Sequence, residues 1–407
     1  MARGAHAARA LCERVVMGFS RRTDWNTEES KLAQAHRARV AAGLPIADLT
    51  ASNPTRCGFA YGPGLTDTLA DPRALDYDPQ PKGLLAARQA VCSYYAGHGA
   101  MVNAEQVVLT TSTSEAYSFL FRLLCDPGSE ILIPQPGYPL FDFLATLDDV
   151  QIRTAPLVYD HGWQIEPEGF RRAITPLTRA IVLVHPNNPT GHFTKPWEIE
   201  ALAEQCRRHD LSLIVDEVFL DYSFAGTPAT FAKGIEGVPV YVVSGLSKIA
   251  GLPQMKAAWI VATGPRRQEA LSRLEVIADT FLSMNAPVQW AMQSWIPGRR
   301  AIQQQIRERV RMNLAELDRQ LIRLPATQRL DLEGGWYAVL RIPALQPDEQ
   351  TVLDLLERGV WVHPGYFFGM EEVGWLVLSL LGQPAEFRTG VTVLITYLGT
   401  HQGGNGN

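Results

Sequence analysis

The stretch that decides the fold is residues 180–219, AIVLVHPNNPTGHFTKPWEIEALAEQCRRHDLSLIVDEVF. It begins and ends with runs that are apolar on consecutive positions, which is typical of strands buried on both faces. Between these runs, Glu198 to His209 has the amphipathic spacing of a helix. A strand, a helix and a second strand in this order predict a βαβ unit, and therefore a parallel sheet.

The same alternation extends in both directions, from about Gln106 to Val261. The predicted strands are QVVLT, EILIP, VQIRTA, AIVLVH, LSLIVD, PVYVVS and AAWIV. We therefore expect an α/β fold with a mostly parallel, doubly wound sheet. Helical periodicity then continues from Leu274 to Leu324, and the runs GGWYAVLRIP, GVWVHPG and WLVLSLL predict strands of a smaller α+β domain.

A chain of 407 residues is longer than one hydrophobic core usually fills, so its length favours two domains or one large α/β domain with appendages. We expect a mobile tail over 1–16, or a start assigned too early, since Met17 precedes the first segment with a regular pattern. Residues 17–60 are assigned to the small domain, 61–298 to the large domain and 299–400 to the C-terminal small domain. Residues 401–407 are predicted to be a second mobile tail.

The composition excludes several classes of function. A net charge of −5 lacks the basic excess that nucleic-acid binding needs, and no apolar run reaches the roughly 20 residues that cross a bilayer. The five cysteines are scattered without a C-x-x-C pair, so neither a disulfide framework nor a zinc site is indicated. A reducing cytoplasm is the expected location.

Lys248 follows the strand PVYVVS in the small-residue loop SGLSKIAGLP. A lysine at such a strand end is a candidate nucleophile, because desolvation lowers its pKa and frees the amine to attack an aldehyde. An ordinary surface lysine in a loop is the equally weighted alternative.

Polar side chains also follow two other predicted strands. Asn187 and Asn188 lie in the turn HPNNPTG, and Asp216 ends the strand LSLIVD. Since the carboxyl ends of parallel strands share one edge of a sheet, these groups are expected near Lys248. An ordinary turn and a salt-bridged aspartate are the structural alternatives.

The segment TTSTSEAY joins the strand QVVLT to a helix expected over Ser114 to Cys125. Backbone N–H groups of Ser112, Thr113 and Ser114 would bind a phosphate there, with help from the helix dipole. A simple helix cap is the alternative interpretation.

Together these motifs resemble the fold-type I pyridoxal-phosphate enzymes, specifically the class I/II aminotransferases, over Asp48 to Leu398. The resemblance implies that Lys248 forms the internal aldimine with pyridoxal 5'-phosphate, and that residues 61–298 are the cofactor-binding domain. It implies that Asp216 bonds the pyridine nitrogen and that Asn188 holds the phenolic oxygen.

The resemblance also assigns two tyrosines. Tyr138 in PGYP matches the aromatic residue that stacks on the cofactor ring, and Tyr77 in YDPQPKG matches a tyrosine that reaches the cofactor phosphate of the neighbouring subunit. A homodimer with shared active sites is therefore implied.

Two departures from the family pattern affect the cofactor site. Phe219 stands where DEVY would place a tyrosine that donates to the phenolic oxygen, with Tyr222 as a possible replacement. Gly245 and Lys256 stand where a serine and an arginine of the phosphate cradle are usual. Lysine still pairs with phosphate, but as a point charge without the arginine fork. Ser247, or Ser244, is the nearest hydroxyl that could replace the serine.

The third departure affects the substrate. Val377, in WLVLSL, occupies the place of the arginine that grips a substrate α-carboxylate. Either the substrate carries no carboxylate there, or another arginine supplies the fork. We favour an arginine of the N-terminal segment. The substrate-site candidates are Ser52, Arg21, Arg22 and Arg56, with Arg341 as a weaker one.

The sequence thus predicts a cytoplasmic aminotransferase that moves an amino group between an amino acid, or an amine, and a 2-oxo acid. A lyase or decarboxylase on the same scaffold is the enzymatic alternative, because reaction type depends on which substrate bond stands perpendicular to the ring. A cofactor-binding regulator is a third, disfavoured by the acidic charge balance.

Overall fold

The computed structural model describes residues 18–402. The helices in this range are α1 Lys31–Ala41, α2 Leu85–Ala96, α3 Thr113–Leu124, α4 Phe141–Leu147, α5 Pro167–Ala173, α6 Pro196–His209, α7 Leu246–Ile249, α8 Arg267–Phe281, α9 Ala286–Gly298, α10 Arg300–Leu321, α11 Asp348–Glu357 and α12 Pro384–Gln402. The strands are β1 Ala47–Asp48, β2 Val107–Thr110, β3 Glu130–Gln135, β4 Gln151–Tyr159, β5 Trp163–Ile165, β6 Thr178–Val184, β7 Ser212–Asp216, β8 Val240–Gly245, β9 Ala258–Thr263, β10 Gln328–Arg329, β11 Tyr337–Arg341, β12 Val360–Trp361, β13 His363–Pro364 and β14 Trp375–Ser379.

The large sheet has the strand order β2-β9-β8-β7-β6-β3-β4-β5. The pairs from β8 through β4 are parallel, and β2, β9 and β5 join the sheet by antiparallel pairing. The order reverses between β3 and β6, which is the type of position where open α/β sheets bind ligands. The predicted α/β, mostly parallel, doubly wound sheet is confirmed.

Consecutive apolar residues in the central strands are explained by burial on both faces of this sheet. In β6, Ile181 and Leu183 pack into one core while Val182 and Val184 pack into the core on the opposite face. Each fully buried aliphatic side chain of this kind contributes about 1.5–3 kcal/mol. The sheet is therefore a rigid base for the loops at its carboxyl edge.

A smaller antiparallel sheet has the order β10-β11-β14-β13. Next to it, β1 pairs in parallel with β12, so the N-terminal segment contacts the C-terminal part of the chain. This pairing favours the predicted grouping of 17–60 with 299–400, although the domain boundaries themselves stay a prediction.

Helix limits depart from the predicted ones at their caps. The predicted helix from Ser114 begins one residue earlier, at Thr113, because the Ser112 side chain accepts a hydrogen bond from the Glu115 N–H at 3.2 Å. α6 begins at Pro196, where a proline suits the first helical turn. α12 includes residues 401 and 402, which the sequence had assigned to a tail; the predicted tail 1–16 and residues 403–407 lie outside the described range.

Of residues 18–402, none belongs to a helix long and apolar enough to cross a bilayer.

Candidate active site

Three neighbouring strands deliver the predicted reactive groups to one edge of the large sheet. Asn188 follows β6, Asp216 ends β7 and Lys248 follows β8. They line a cavity of about 280 Å³, here called the Lys248 cavity. The sequence-predicted residues that line it are Ser52, Ser112, Thr113, Ser114, Tyr138, Asn188, Asp216, Phe219, Ser247, Lys248 and Lys256.

Asp216 is a buried carboxylate, 6% exposed. One oxygen accepts the Val218 N–H at 3.0 Å and the other accepts the Tyr117 hydroxyl at 3.0 Å. Burial raises the pKa of Asp216 to about 6, although both hydrogen bonds and the charge of Lys248 oppose the shift. The site therefore holds a carboxylate ready to pair with a cation.

The sequence had not identified Tyr117 as a site residue. It lies on α3, one helical turn beyond Ser114. Its hydroxyl donates to Asp216, and both residues are buried. The signal available in the sequence was its position one turn after the expected phosphate-binding segment, on the helix that packs on the sheet.

Lys248 lies in α7, a four-residue helix directly after β8. Burial lowers the pKa of Lys248 to about 8, against the opposing effect of the Asp216 charge. Its Nζ lies 5.2 Å from the ring centroid of Trp336 and 5.8 Å from that of Phe219. An amine in this aromatic, desolvated setting is neutral in a substantial fraction of molecules near pH 8, which is the form that reacts with aldehydes.

The predicted phosphate cradle is assembled from α3 and the loop after α7. Ser112 to Ser114 form the start of α3, whose first N–H groups have no partner within the helix. Lys256 faces the same cavity with a left-handed backbone, φ +52°. One cation and a helix N-terminus therefore converge on the position predicted for a phosphate.

The structure explains the glycine at position 245. A Cβ on Gly245 would lie 2.8 Å from both the Ala257 carbonyl oxygen and the Ala258 Cβ, because β8 and β9 approach closely there. A serine cannot fit without moving β9. Ser247 lines the cavity and is the nearby hydroxyl, whereas Ser244 is fully buried and does not line it.

The two asparagines of HPNNPTG have different surroundings. Asn187 donates to the Pro136 carbonyl oxygen at 3.0 Å and to Thr190 Oγ1 at 2.9 Å, so it holds the turn. Asn188 lines the Lys248 cavity, and its buried Oδ1 has no hydrogen-bond partner among residues 18–402. Asn187 Oδ1 is likewise without a partner among these residues, but Asn187 does not line the cavity, so Asn188 is the asparagine that a ligand there can contact.

Phe219 and Tyr222 were both considered for the position from which a family tyrosine donates to the cofactor's phenolic oxygen, and the structure places them differently. Phe219 lines the cavity and packs edge-on against Trp336, with ring centroids 5.2 Å apart. Tyr222 does not line it, and donates its hydroxyl to the Lys248 carbonyl oxygen at 2.7 Å. Tyr222 is thus placed to fix the lysine backbone rather than to replace a phenol at position 219.

The arginines considered for substrate binding lie outside the Lys248 cavity. Arg22 forms an ion pair with Asp149 at the surface, and Arg56 is exposed at the end of a short 3₁₀ helix, Pro54–Arg56. The Arg341 guanidinium stacks on Trp375 at 5.1 Å from the ring centroid. Arg21 is exposed in the N-terminal segment. Among the residues described, no arginine lines this cavity.

Val377 is fully buried in the small sheet, where its register partners are Val339 and His363 on the flanking strands. It packs in the core instead of lining the cavity. Ser52 and Tyr337, which share a hydrogen bond, do line the Lys248 cavity. Tyr337 was not predicted, because the sequence does not show that β11 approaches the edge of the large sheet.

Tyr77 is 84% exposed and lines a different cavity, of about 520 Å³. Within one chain it does not contact the Lys248 cavity, so its predicted role toward a neighbouring subunit stays a prediction.

The sheet, the lysine after a strand and the carboxylate beside it define the fold of the pyridoxal-phosphate-dependent transferases of fold type I. A family model described as "Aminotransferase class I and II" matches residues 67–394. The chain belongs to this family and is an enzyme of the aminotransferase type.

Similar proteins carry related names. Over 378 residues the chain is 27% identical to glutamate-pyruvate aminotransferase AlaA of Haemophilus influenzae, covering 88% of this chain and 92% of that protein. It is 27% identical over 237 residues to nicotianamine aminotransferase 1 of Oryza sativa, covering 57% of this chain and only 48% of that protein. The solved alanine aminotransferase of Pyrococcus furiosus superimposes with a TM-score of 0.81 at 22% identity, covering 92% of this chain and 100% of that one.

Proposed function

We propose that this enzyme transfers an amino group between an amino acid, or an amine, and a 2-oxo acid, using pyridoxal 5'-phosphate held at Lys248. The observation that carries the proposal is the Lys248 cavity itself, where a desolvated amine and a buried carboxylate, Asp216, face the same space as a helix N-terminus. Few ligands need an amine, a carboxylate and a phosphate cradle together.

The donor set of the cavity suits this cofactor. The buried carboxylate of Asp216 fits a protonated ring nitrogen, and the side-chain NH2 group of Asn188, which lines the cavity, would donate to a ring oxygen. The start of α3 and Lys256 fit a phosphate dianion, while Lys248 would hold the aldehyde carbon. Tyr138, 38% exposed at the cavity wall, would stack on the ring.

When bound, the cofactor supplies an electron sink that stabilises negative charge at the substrate α-carbon. The protein supplies the rest. Lys248 Nζ, with a pKa of about 8, would take the proton from the substrate α-carbon and deliver it to the cofactor carbon that receives the amino group. Asp216, fixed by Tyr117 and the Val218 N–H, keeps the ring nitrogen protonated.

The substrate side of the cavity favours a second donor class. Since no arginine lines the cavity among residues 18–402, a donor without an α-carboxylate, such as an amine or amino sugar, fits the neutral hydrogen-bonding pair Ser52 and Tyr337. An amino-acid donor would need a guanidinium group from outside the cavity to bind its α-carboxylate. Arg22 or Arg56 would have to move to provide that group.

We infer a cytoplasmic homodimer with shared sites. Three large apolar side chains at Tyr77 and in the segments around its cavity are exposed to solvent: Leu75 is 89%, Tyr77 84% and Phe281 51% exposed. Exposing these apolar side chains to water is unfavourable, and a second subunit of the same enzyme would cover them. Sedimentation of an active enzyme as a monomer would contradict this inference.

The test of the proposed function is a single-turnover assay on the cofactor-loaded enzyme. Candidate donors are added one at a time, and the visible absorbance reports transfer of the amino group to the cofactor. Alanine and glutamate represent amino acids, and simple amines and amino sugars represent the second class.

Lys248→Ala should abolish the absorbance change with every donor, and the exposed Lys233→Ala serves as the matched control. Release of carbon dioxide or of an unsaturated product without amino transfer would favour the lyase or decarboxylase alternative. Turnover that survives in Lys248→Ala would contradict the assignment of the lysine.

A further inference from the structure

A second cavity, of about 550 Å³, lies where the end of α2, the segment after β7 and the start of α10 meet. Its lining includes four arginines: Arg299, Arg300, Arg307 and Arg311. Three of them, with Gln304, are spaced i, i+4, i+7 and i+11 on α10, so they share one face of that helix. We call this the arginine cavity.

These four guanidinium groups are not neutralised within the described chain. Among residues 18–402 none of the four forms an ion pair with a carboxylate. Like charges on one helix face destabilise that helix, so the cluster costs free energy when nothing is bound. The one acidic side chain in the lining, Asp221, is already engaged by His98 Nε2 at 3.2 Å and by the Tyr94 hydroxyl at 3.1 Å.

The protein holds two of the arginines in place. Arg307 donates through Nε and Nη2 to the Asp221 carbonyl oxygen, at 3.0 and 2.7 Å. Arg299 stacks 4.8 Å from the Tyr94 ring centroid and donates through Nη1 to the Ile296 carbonyl oxygen at 2.7 Å. Charged groups that are fixed before a ligand arrives lose less entropy on binding it.

Two buried polar atoms at this wall are unused by the fold. Arg299 Nε and His98 Nδ1 have no hydrogen-bond partner among the described residues, and the His98 side chain is only 8% exposed. Buried polar atoms are nearly always satisfied in folded proteins, by the chain or by bound water or an ion. Arg299 Nε is thus a donor that the fold leaves unused next to the other arginines, whereas His98 Nδ1 is the acceptor of a ring whose Nε2–H donates to Asp221.

The arginine cavity is distinct from the Lys248 cavity, since no residue lines both. The two are nevertheless adjacent. Gln303, which lines the arginine cavity, donates to the Ile249 carbonyl oxygen at 2.7 Å, one residue beyond Lys248.

We propose that the arginine cavity is a binding site for a small oxyanion that carries two or more negative charges, such as a phosphorylated or multiply carboxylated metabolite. Guanidinium forks match the paired oxygens of phosphate and carboxylate groups. Arg300 and Arg311 are 11 residues apart on α10, or about 16 Å along the axis at 1.5 Å per residue, so the ligand contacts two or three of the arginines.

The experiment measures binding of inorganic pyrophosphate to the cofactor-loaded enzyme by calorimetry at low ionic strength. Loaded enzyme is used because the cofactor's own phosphate then occupies the cradle at α3. The cavity variants are Arg300→Gln, Arg311→Gln and the double variant that carries both changes. Both side chains are exposed and belong to one helix face, so the fold tolerates the change. The matched control is Arg323→Gln, an exposed arginine beyond the end of α10 with the same change of charge.

We expect saturable binding at one site per chain in the parent enzyme and in the control. The variant that carries both changes should bind at least about tenfold more weakly, because it removes two of the four positive charges of the cavity and with them at least one charge-assisted hydrogen bond. Gln304→Glu, which adds a carboxylate to the same face, should also weaken binding. No saturable binding to the parent, or equal losses in the control and the cavity variants, would overturn the proposal.

Discussion

The sharpest expectation from this structure concerns the amine of Lys248. Desolvation lowers the pKa of Lys248 to about 8, from an ordinary value of 10.5. At pH 7.5 a group with a pKa of about 8 is roughly one quarter neutral, whereas about one molecule in a thousand is neutral for the ordinary value. The reactive fraction of Lys248 in the cofactor-free enzyme should therefore exceed that of an ordinary lysine about two-hundredfold.

The shift can be measured by trace labelling of the cofactor-free enzyme with acetic anhydride across pH 6 to 11. Mass spectrometry quantifies the labelled peptide that contains Lys248, with the exposed Lys31 of the same molecule as an internal reference. The labelling midpoint of Lys248 should fall near pH 8. A midpoint close to that of free lysine would show that the cavity is solvated and would refute the reasoning.

The perturbation that tests the cause is Asp216→Asn. The negative charge of Asp216 raises the pKa of Lys248, so its removal should move the midpoint further below pH 8. Glu217→Gln is the control, because Glu217 is also buried but does not line the Lys248 cavity and, with its pKa raised to about 8, carries less negative charge near the midpoint, so its loss should move the midpoint less. An upward shift in Asp216→Asn, or the same shift in both variants, would contradict this account of the site.

Three further changes have definite expected results. Phe219→Tyr should move the titration of the cofactor's visible absorbance to lower pH, because the new phenol would donate toward the cofactor oxygen; an unmoved titration would contradict the assigned position of residue 219. Burial raises the pKa of Glu217 from 4.5 to about 8, so protonated Glu217 stabilises the fold below about pH 4.5, and this stabilisation is lost as the pH rises through 8. The free energy of unfolding in urea should therefore fall less between pH 5 and pH 8 in Glu217→Gln than in the parent enzyme. Val377→Ala should lower the free energy of unfolding by about 2 kcal/mol with KM unchanged, because Val377 is fully buried and lies outside the cavity; a changed KM at unchanged stability would place it in the substrate site.

Sequence reasoning succeeded where chemistry followed directly from a strand. Apolar runs long enough for buried parallel strands, each followed by a polar group, predicted the common edge at which Asn188, Asp216 and Lys248 meet. The physical reason is that parallel strands place their carboxyl ends together whatever the connecting helices contain. The antiparallel edge strand β5 was missed, since three residues carry too little periodicity.

The arginines of α10 separate what a local sequence pattern predicts from what it does not. The spacing of Arg300, Arg307 and Arg311 could be read from the sequence, because it depends only on the 3.6-residue turn. What that face meets could not be read, because His98 and Asp221 reach it only through the packing of α2 and the segment after β7 against α10.

The sequence by itself determined the fold class and the sheet edge at which Lys248 and Asp216 lie, because both follow from hydrophobic periodicity and from residues adjacent to it in the chain. Only the tertiary structure decided that Tyr117 secures Asp216, that Trp336 and Tyr337 approach Lys248 and Ser52, and that Val377 packs in a core. The three contacts between named pairs join residues 88 to 285 positions apart. Their energies depend on how separate elements dock and exclude water, and no local pattern encodes that geometry.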